Sequence, residues 1–306
     1  MIKYLKNKIL TFLKINYLKK EQEEIKLLLG RLNNKINRDN QPNNLVDIEF
    51  KVFSQFGDDG IIQYLIEKIN IPREYENFIE FGVENYSESN TRYLLFNNNW
   101  SGLIMDASNK NIKEIKNSNY YWKFDLEVIC EFINRDNINE LIKNSKIDKR
   151  IGLLSIDLDG NDYWVWDKIN VIEPIIVIVE FNSNFGFEHK ISIPYDEKFE
   201  RNKAHYSNLY WGTSLEALKY LSKIKGYSFV CTNSSGNNAY FVKSSEYKKI
   251  DLNLSKIFYG SKFRESRNIK GEKNYLSHNE KINEIKDLEV IDVETKEKKL
   301  IKTLFN

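Results

Sequence analysis

Cysteine is almost missing from this chain, with Cys130 and Cys231 the only two in 306 residues. Two isolated thiols make neither a disulfide framework nor a zinc site, which excludes a stapled secreted scaffold and suits a reducing cytoplasm. Long apolar runs are missing too. None approaches the ~20 residues that cross a bilayer, so no spanning helix is expected. Lysines interrupt the first residues every few positions, so no signal-peptide core is expected either. Charge of one sign is also lacking. The 46 Lys and Arg nearly balance the 44 Asp and Glu, leaving a net charge of +2. That gives no global electrostatic case for nucleic acid. No internal repeat is visible. Histidine is scarce, with only His189, His205 and His278.

What is present is enough apolar residue for a core. Hydrophobic residues make up 41% of the chain, which excludes a disordered protein and suggests one large domain with additions. Residues 1–44 read as an amphipathic helix and a polar linker. Ile2, Leu5, Ile9, Leu13 and Tyr17 fall at helical spacing, and Ile25, Leu28, Leu29 and Leu32 continue an apolar stripe. Lysines dominate its first half, so an anionic membrane surface, a second subunit and the chain's own domain are all candidate partners. Asn-rich residues 33–44 read as the linker.

Residues 45–243 read as an alternation of strands and helices. SQFGDDG opens a helix at Asp58 and Asp59, where acids suit the helix dipole. Strands are expected at 78–81, 101–105, 121–124, 151–156 and 175–179, with helices between them, including one over 127–145. A long polar and aromatic connection fills 182–212. A helix over 214–224 and two closing strands, 227–231 and 239–242, complete the unit. This predicts a doubly wound, Rossmann-like α/β sheet of seven strands. Residues 244–306 read as a C-terminal extension, a solvated tail packing on the domain surface, with a late hairpin or arm at 290–293 and 300–304 as the alternative.

The organising stretch is NFIEFGVENYSESNT, residues 77–91. It reads as a strand ending at Glu80, a tight turn at Gly82 that lets backbone approach a ligand, and a helix start with Asn90 among its caps. A lone glycine is also what any strand–turn–helix connection can carry. In a doubly wound sheet every strand ends on the same rim. Glu80, Asp106, Asp125, Asp157, Asp159 and Glu180 all fall at expected strand ends, which makes that rim the expected active site. Asp106 is placed to accept from ribose hydroxyls. Asp125 is placed to meet an adenine amine, with Tyr121 and Trp122 beside it to pack the ring. Asp157, Asp159, Glu180 and Asn182 end neighbouring strands, and four hard oxygen ligands would suit Mg²⁺. A metal-free rim that binds a polar substrate directly is the favoured expectation. His205 is the histidine closest to that rim and the expected general base.

IEFGVENYSESNT, WSGLIMDAS, LLSIDLDGNDYWVW, IIVIVEFN and YWGTSLEALKYLSKIKGYSFVCTNSSGNNAYFV, taken in order, resemble the FkbM-type methyltransferases over roughly residues 50–243. That family looks like a set of S-adenosylmethionine-dependent O-methyltransferases acting on sugars and related natural products. The resemblance implies a class I methyltransferase sheet and S-adenosylmethionine as cofactor. It also implies a hydroxyl on a sugar or surface-glycan precursor as acceptor, and a cytoplasmic enzyme, held at the inner membrane face if its first helix binds there. Glu80 and Gly82 keep the family's first motif, but Glu84 and Tyr86 stand where small residues are expected. Glu84 can accept from the cofactor's ammonium or repel its carboxylate. Two other readings compete. One is a scaffold that keeps the fold without catalysis. The other is a metal-dependent phosphatase of the haloacid-dehalogenase type, because DLDG follows an apolar strand. That fold begins with this motif, whereas here three strand–helix units precede it.

Overall fold

The computed structural model describes residues 2–40, 42, 44–250 and 258–305, with backbone only for 2–13, 16 and 19. Helix α1 (Ile2–Asp39) leads to a short turn α2 (Leu45–Ile48) and to α3 (Asp58–Ile69). Then come β1 (Asn77–Phe81), β2 (Ser101–Asp106), α4 (Asn109–Lys116), β3 (Leu126–Cys130), α5 (Ile138–Asn144) and β4 (Leu153–Ile156). They are followed by α6 (Asp162–Lys168), β5 (Ile176–Glu180), β6 (Ile191–Ser192), α7 (Arg201–Ala204) and α8 (Leu215–Ile224). β7 (Tyr227–Thr232), β8 (Asn238–Lys243), α9 (His278–Ile285), β9 (Glu289–Asp292) and β10 (Lys298–Leu300) complete the chain.

Seven strands form one sheet in the order β3-β2-β1-β4-β5-β8-β7. β8 alone runs against its neighbours, pairing antiparallel with β5 and with β7. This is the doubly wound, Rossmann-like sheet of the class I methyltransferase type. The strands are apolar on both faces because helices cover both faces. Phe78 and Ile104 enter the core under α3 and α4. Ile79, Phe81, Leu103 and Met105 enter the core under α5, α6 and α8. The strand order reverses between β1 and β4, so the crevice at their C-terminal ends is where a ligand belongs in such a sheet.

Three expectations change. Residues 121–123 are a 3-10 turn, and the third strand is Leu126–Cys130, which overlaps the start of the stretch read as a helix. Leu126 and Val128 are buried and Glu127 is not, a period of two. The apolar set Val128, Ile129, Phe132 and Ile133 satisfies helical spacing as well, which is why the sequence reads both ways. Residues 33–39 continue α1 because Asn34, Asn37 and Arg38 bond to the domain, so the expected linker is shorter. The stripe Ile25, Leu28, Leu29 and Leu32 is exposed, and α1 docks by its opposite face. Ile2, Leu5, Ile9 and Leu13 lie outside the described side chains.

The C-terminal extension packs on the domain and carries the alternative hairpin, β9 with β10. β6, from the long connection, pairs with β9, and β9 pairs with β10, making a second sheet of three strands. Phe185, Ile191, Ile193 and Leu209 of the connection share a core with Ile282, Ile285, Val290 and Ile301 of the extension. No described helix is long and apolar enough to cross a membrane.

Candidate active site

A cavity of about 450 Å³ opens at the C-terminal ends of β1, β2, β3, β4 and β5. The expected rim residues Glu80, Gly82, Glu84, Asn90, Asp106, Asp157, Asp159 and Glu180 all line it. So do Glu88 and Glu131, which sequence reasoning missed, and Arg201 is the only basic side chain among the described lining residues. Acids therefore dominate one wall-to-wall field, which favours a cationic ligand over a phosphate.

The turn after β1 shows how the loop is built. Gly82 has φ +69°, and a Cβ there would lie 1.8 Å from the Asp157 carbonyl oxygen. The close approach that demands glycine is thus to the β4 backbone, beyond any clearance it gives a ligand. Glu84 and Tyr86 also take left-handed backbone, with φ 48° and 62°. The loop keeps a glycine-like path at three alternate positions, of which only the first is glycine. Asp106 holds it there. Its Oδ2 accepts from the Glu84 N–H at 2.8 Å, and its Oδ1 accepts from the Ser108 N–H at 2.8 Å and from Asn111. A carboxylate offers about four acceptor sites, so one remains for a ligand.

Glu80 is buried and is a cap. It accepts from the Asn90 and Thr91 N–H groups and from the Ser89 and Thr91 hydroxyls. Burial pushes its pKa upward while these donors oppose the shift. Asn90 in turn donates to Ser155 on β4 at 3.1 Å, locking the turn to the next strand.

Beyond this lies a carboxyl pair. Asp157 and Glu180 lie side by side in the cavity wall, and neighbouring negative charge raises the pKa of each. Burial, and then the negative charges of Asp159, Asp162 and Glu80, push Asp157 well above the usual carboxylate range. Burial, and then Asp157, does the same to Glu180. Glu180 is buried, and its Oε2 has no hydrogen-bond partner in the protein. Asn161 lines the same cavity with a buried, unpartnered Oδ1. Both orphans are acceptors and suit a ligand that donates. Asp159, exposed and with φ 55°, pairs with Arg201 at 3.0 Å. Arg201 also lies over the Trp211 ring at 4.2 Å.

Three expected site residues are not brought here. Asp125 precedes β3 and sits exposed at the opposite end of the sheet, where its carbonyl accepts from Gly102 at the start of β2. Shifting the strand by five positions moved this acid from one rim to the other. Trp122 went with it and is 78% exposed. The residues that do follow β3 into the cavity are Glu131, Phe132 and Ile133. His205 does not line the cavity. Its Nδ1 bonds Ser207 at 2.7 Å, its ring stacks on Tyr206, and burial lowers its pKa. Asn182 cannot join a metal set, since its amide donates to the carbonyls of Leu209 and Trp211 and its oxygen accepts from Asn184. Among the described residues no group of three or more His, Cys, Asp or Glu side chains is arranged to hold a metal ion.

A second cavity of about 150 Å³ adjoins the first and shares Gln55, Glu180, Arg201 and Asn237 with it. Trp211 lines it from the connection, and Phe263, Glu265 and Lys281 line it from the C-terminal extension.

No family model matches the chain, and no curated protein matches it. Solved structures do. One is the N-terminal domain of EvdMO1 with SAH bound, at 10% identity and TM-score 0.40, covering 62% of this chain and 80% of that one. Another is an S-adenosylmethionine-dependent methyltransferase from Clostridium acetobutylicum, at 10% identity and TM-score 0.35, covering 59% and 89%. A third is an O-methyltransferase from Bacillus cereus in complex with SAH, at 13% identity and TM-score 0.37, covering 73% and 91%.

Proposed function

We propose that this chain transfers a methyl group from S-adenosylmethionine to a hydroxyl of a sugar or surface-glycan precursor. The observation that carries the reading is the acid-lined cavity at the β1–β4 switch point, with one arginine against many carboxyls. S-adenosylmethionine bears a sulfonium and an ammonium, so such a field attracts it and disfavours the phosphates of a dinucleotide or ATP. The orphan acceptors Glu180 Oε2 and Asn161 Oδ1 fit a ligand rich in donors. The motif resemblance to FkbM-type enzymes supports the sugar acceptor.

When bound, the cofactor supplies an electrophilic methyl on sulfur. The chain's residues do the rest. Asp106 has a free acceptor site for a ribose hydroxyl, and Glu131 replaces Asp125 as the acid past β3 that can meet the adenine amine. Glu84 is exposed beside Asp106 and supplies charge to the cofactor's cationic end. Asp159 and Arg201 border the acceptor side. The acceptor hydroxyl must lose its proton as its oxygen takes the methyl. Glu180 is the proposed base, because it lines both cavities and one of its oxygens has no partner among the described residues. A carboxyl pair whose proton is held well above the ordinary range is a stronger base near neutral pH than a solvated carboxylate. No metal is needed for that step, so chelator should leave turnover intact.

Calorimetry with S-adenosylhomocysteine tests the cofactor half, and absence of binding ends the reading. Labelled methyl transfer to a panel of sugar nucleotides tests the rest. Glu180→Gln should keep cofactor affinity and lose about 10²–10⁴-fold in turnover, the usual worth of a general base. His205→Ala should keep activity. Turnover should fall with decreasing pH through an apparent value above the ordinary carboxylate range, since the pair must be deprotonated to accept. Glu180→Gln should remove that limb.

A further inference from the structure

Helix α1 has two opposite faces with different uses. One face is docked. Glu23 pairs with the buried Arg92 at 2.9 Å, and Leu27 packs with Phe50, Val52, Phe53 and Tyr93. Gly30 is buried so tightly that a Cβ would lie 2.5 Å from Val52 Cγ2. Asn34 donates to Glu67 of α3 at 2.9 Å, and Arg38 pairs with the same carboxylate at 2.6 Å. These contacts fix the rotation of the helix on the domain.

The other face is apolar and open. Ile15, Leu18, Ile25, Leu29, Leu32 and Ile36 are 43–58% exposed. Their spacing alternates three and four, with Gln22 filling the one gap. That is a heptad seam in which Ile15, Gln22, Leu29 and Ile36 take the a positions and Leu18, Ile25 and Leu32 the d positions. In the same frame the docked residues Glu23, Leu27, Gly30, Asn34 and Arg38 fall at b, c and f, the positions away from a seam. A helix that merely covered its own domain would put its heptad seam inward. Here the seam spans about 33 Å at 1.5 Å per residue and stays exposed among the described residues.

We infer that α1 pairs in parallel with α1 of a second copy of this chain, forming a two-stranded coiled coil that holds two domains on its outer sides. The charges beside the seam choose the partner and its direction. Glu21 lies at g and Lys26 at the following e, and a parallel pair brings each g against the other chain's next e. Two symmetric Glu21–Lys26 pairs result. An antiparallel pair would set g against g and e against e, so Glu21 and Lys26 would not meet. Gln22, the one polar a residue, can bond its own copy across the axis and fix the register, as a single buried amide does in such seams. Glu21 and the neighbouring Glu23 and Glu24 also make this part of the helix a poor match for an anionic lipid surface.

Sedimentation of the full chain at micromolar concentration tests this. The wild type should be a dimer, and Leu29→Glu/Leu32→Glu should be a monomer with an unchanged melting transition of the domain. Glu21→Lys alone and Lys26→Glu alone should each weaken the dimer several-fold, and the two together should restore it. A monomeric wild type, or a dimer that survives Leu29→Glu/Leu32→Glu, overturns the seam. Single charge variants without effect overturn the parallel arrangement. A monomer that floats with phosphatidylserine vesicles and stops floating in Leu29→Glu/Leu32→Glu would give the face to a membrane.

Discussion

Glu84 and Tyr86 store the clearest local strain in the site. Left-handed backbone costs an ordinary residue roughly 1–2 kcal/mol, and both residues sit in it. Tyr86 is repaid by full burial and by its hydroxyl bond to Thr91. Glu84 is exposed and is held only through its N–H to Asp106. Glu84→Gly should therefore stabilise the fold. The relief of about 1–2 kcal/mol is offset by about 0.5–1 kcal/mol of extra unfolded-chain entropy, leaving a gain on the order of 0.5–1 kcal/mol. Urea denaturation measures it, and a loss of stability would mean that the Glu84 side chain has a structural partner after all. At this scale the sequence was informative where a backbone demand left a visible residue. Gly82 announced its turn. The left-handed path at 84 and 86 left no mark, because the residues there are ones that avoid it. Asp157 and Glu180 were legible as acids on neighbouring strand ends, but their mutual burial, which raises both pKa values, was not.

Elements were legible where one period dominated. β4 and β5 are near-continuous apolar runs, broken only by Ser155 and by Glu180 at the rim, because both their faces are covered, and α8 has a single apolar stripe beneath a Ser214 cap. β3 was hidden because its five residues fit two periods, and Asp125 was carried to the wrong rim with it. The start of α3 was read as a dipole effect and is more than that. Asp59 is buried, and its Oδ2 accepts from the N–H groups of Val52, Phe53 and Ser54 and from the Ser54 hydroxyl. Asp58 binds Asn233, Asn238 and Tyr240, tying α3 to the β7–β8 turn. The element is thus clamped to both the preceding loop and the far side of the sheet. Asp59→Ala would strand three buried N–H donors, each worth about 1–3 kcal/mol when unmet. The expected loss is on the order of 3–5 kcal/mol after relaxation, read from the shift in the urea midpoint at unchanged slope.

The molecule as a whole divides the two cavities between different parts of the chain. The proposed cofactor side of the larger cavity is lined by the turns after β1, β2 and β3, all from one continuous stretch. The smaller cavity is walled by the long connection and the C-terminal extension, which fold together around their own core and three-stranded sheet. That partnership was not readable in the sequence, because β6 is only two residues long and its partner lies about a hundred residues away. Lys281 shows the consequence. It is buried, burial lowers its pKa, and among the described residues its ammonium has one hydrogen-bond acceptor, the Phe263 carbonyl at 2.7 Å. An ammonium has three donors, and Lys281 lines the smaller cavity, where the proposed acceptor's oxygens can meet the other two. Lys281→Met keeps the aliphatic stem and removes the charge. It should raise KM for the acceptor by about 10-fold or more, the worth of one charged hydrogen bond of 1.5–3 kcal/mol. Cofactor affinity should stay unchanged, because Lys281 does not line the larger cavity. If calorimetry with S-adenosylhomocysteine shifts while acceptor KM does not, the smaller cavity is not the acceptor site and the extension serves the fold alone.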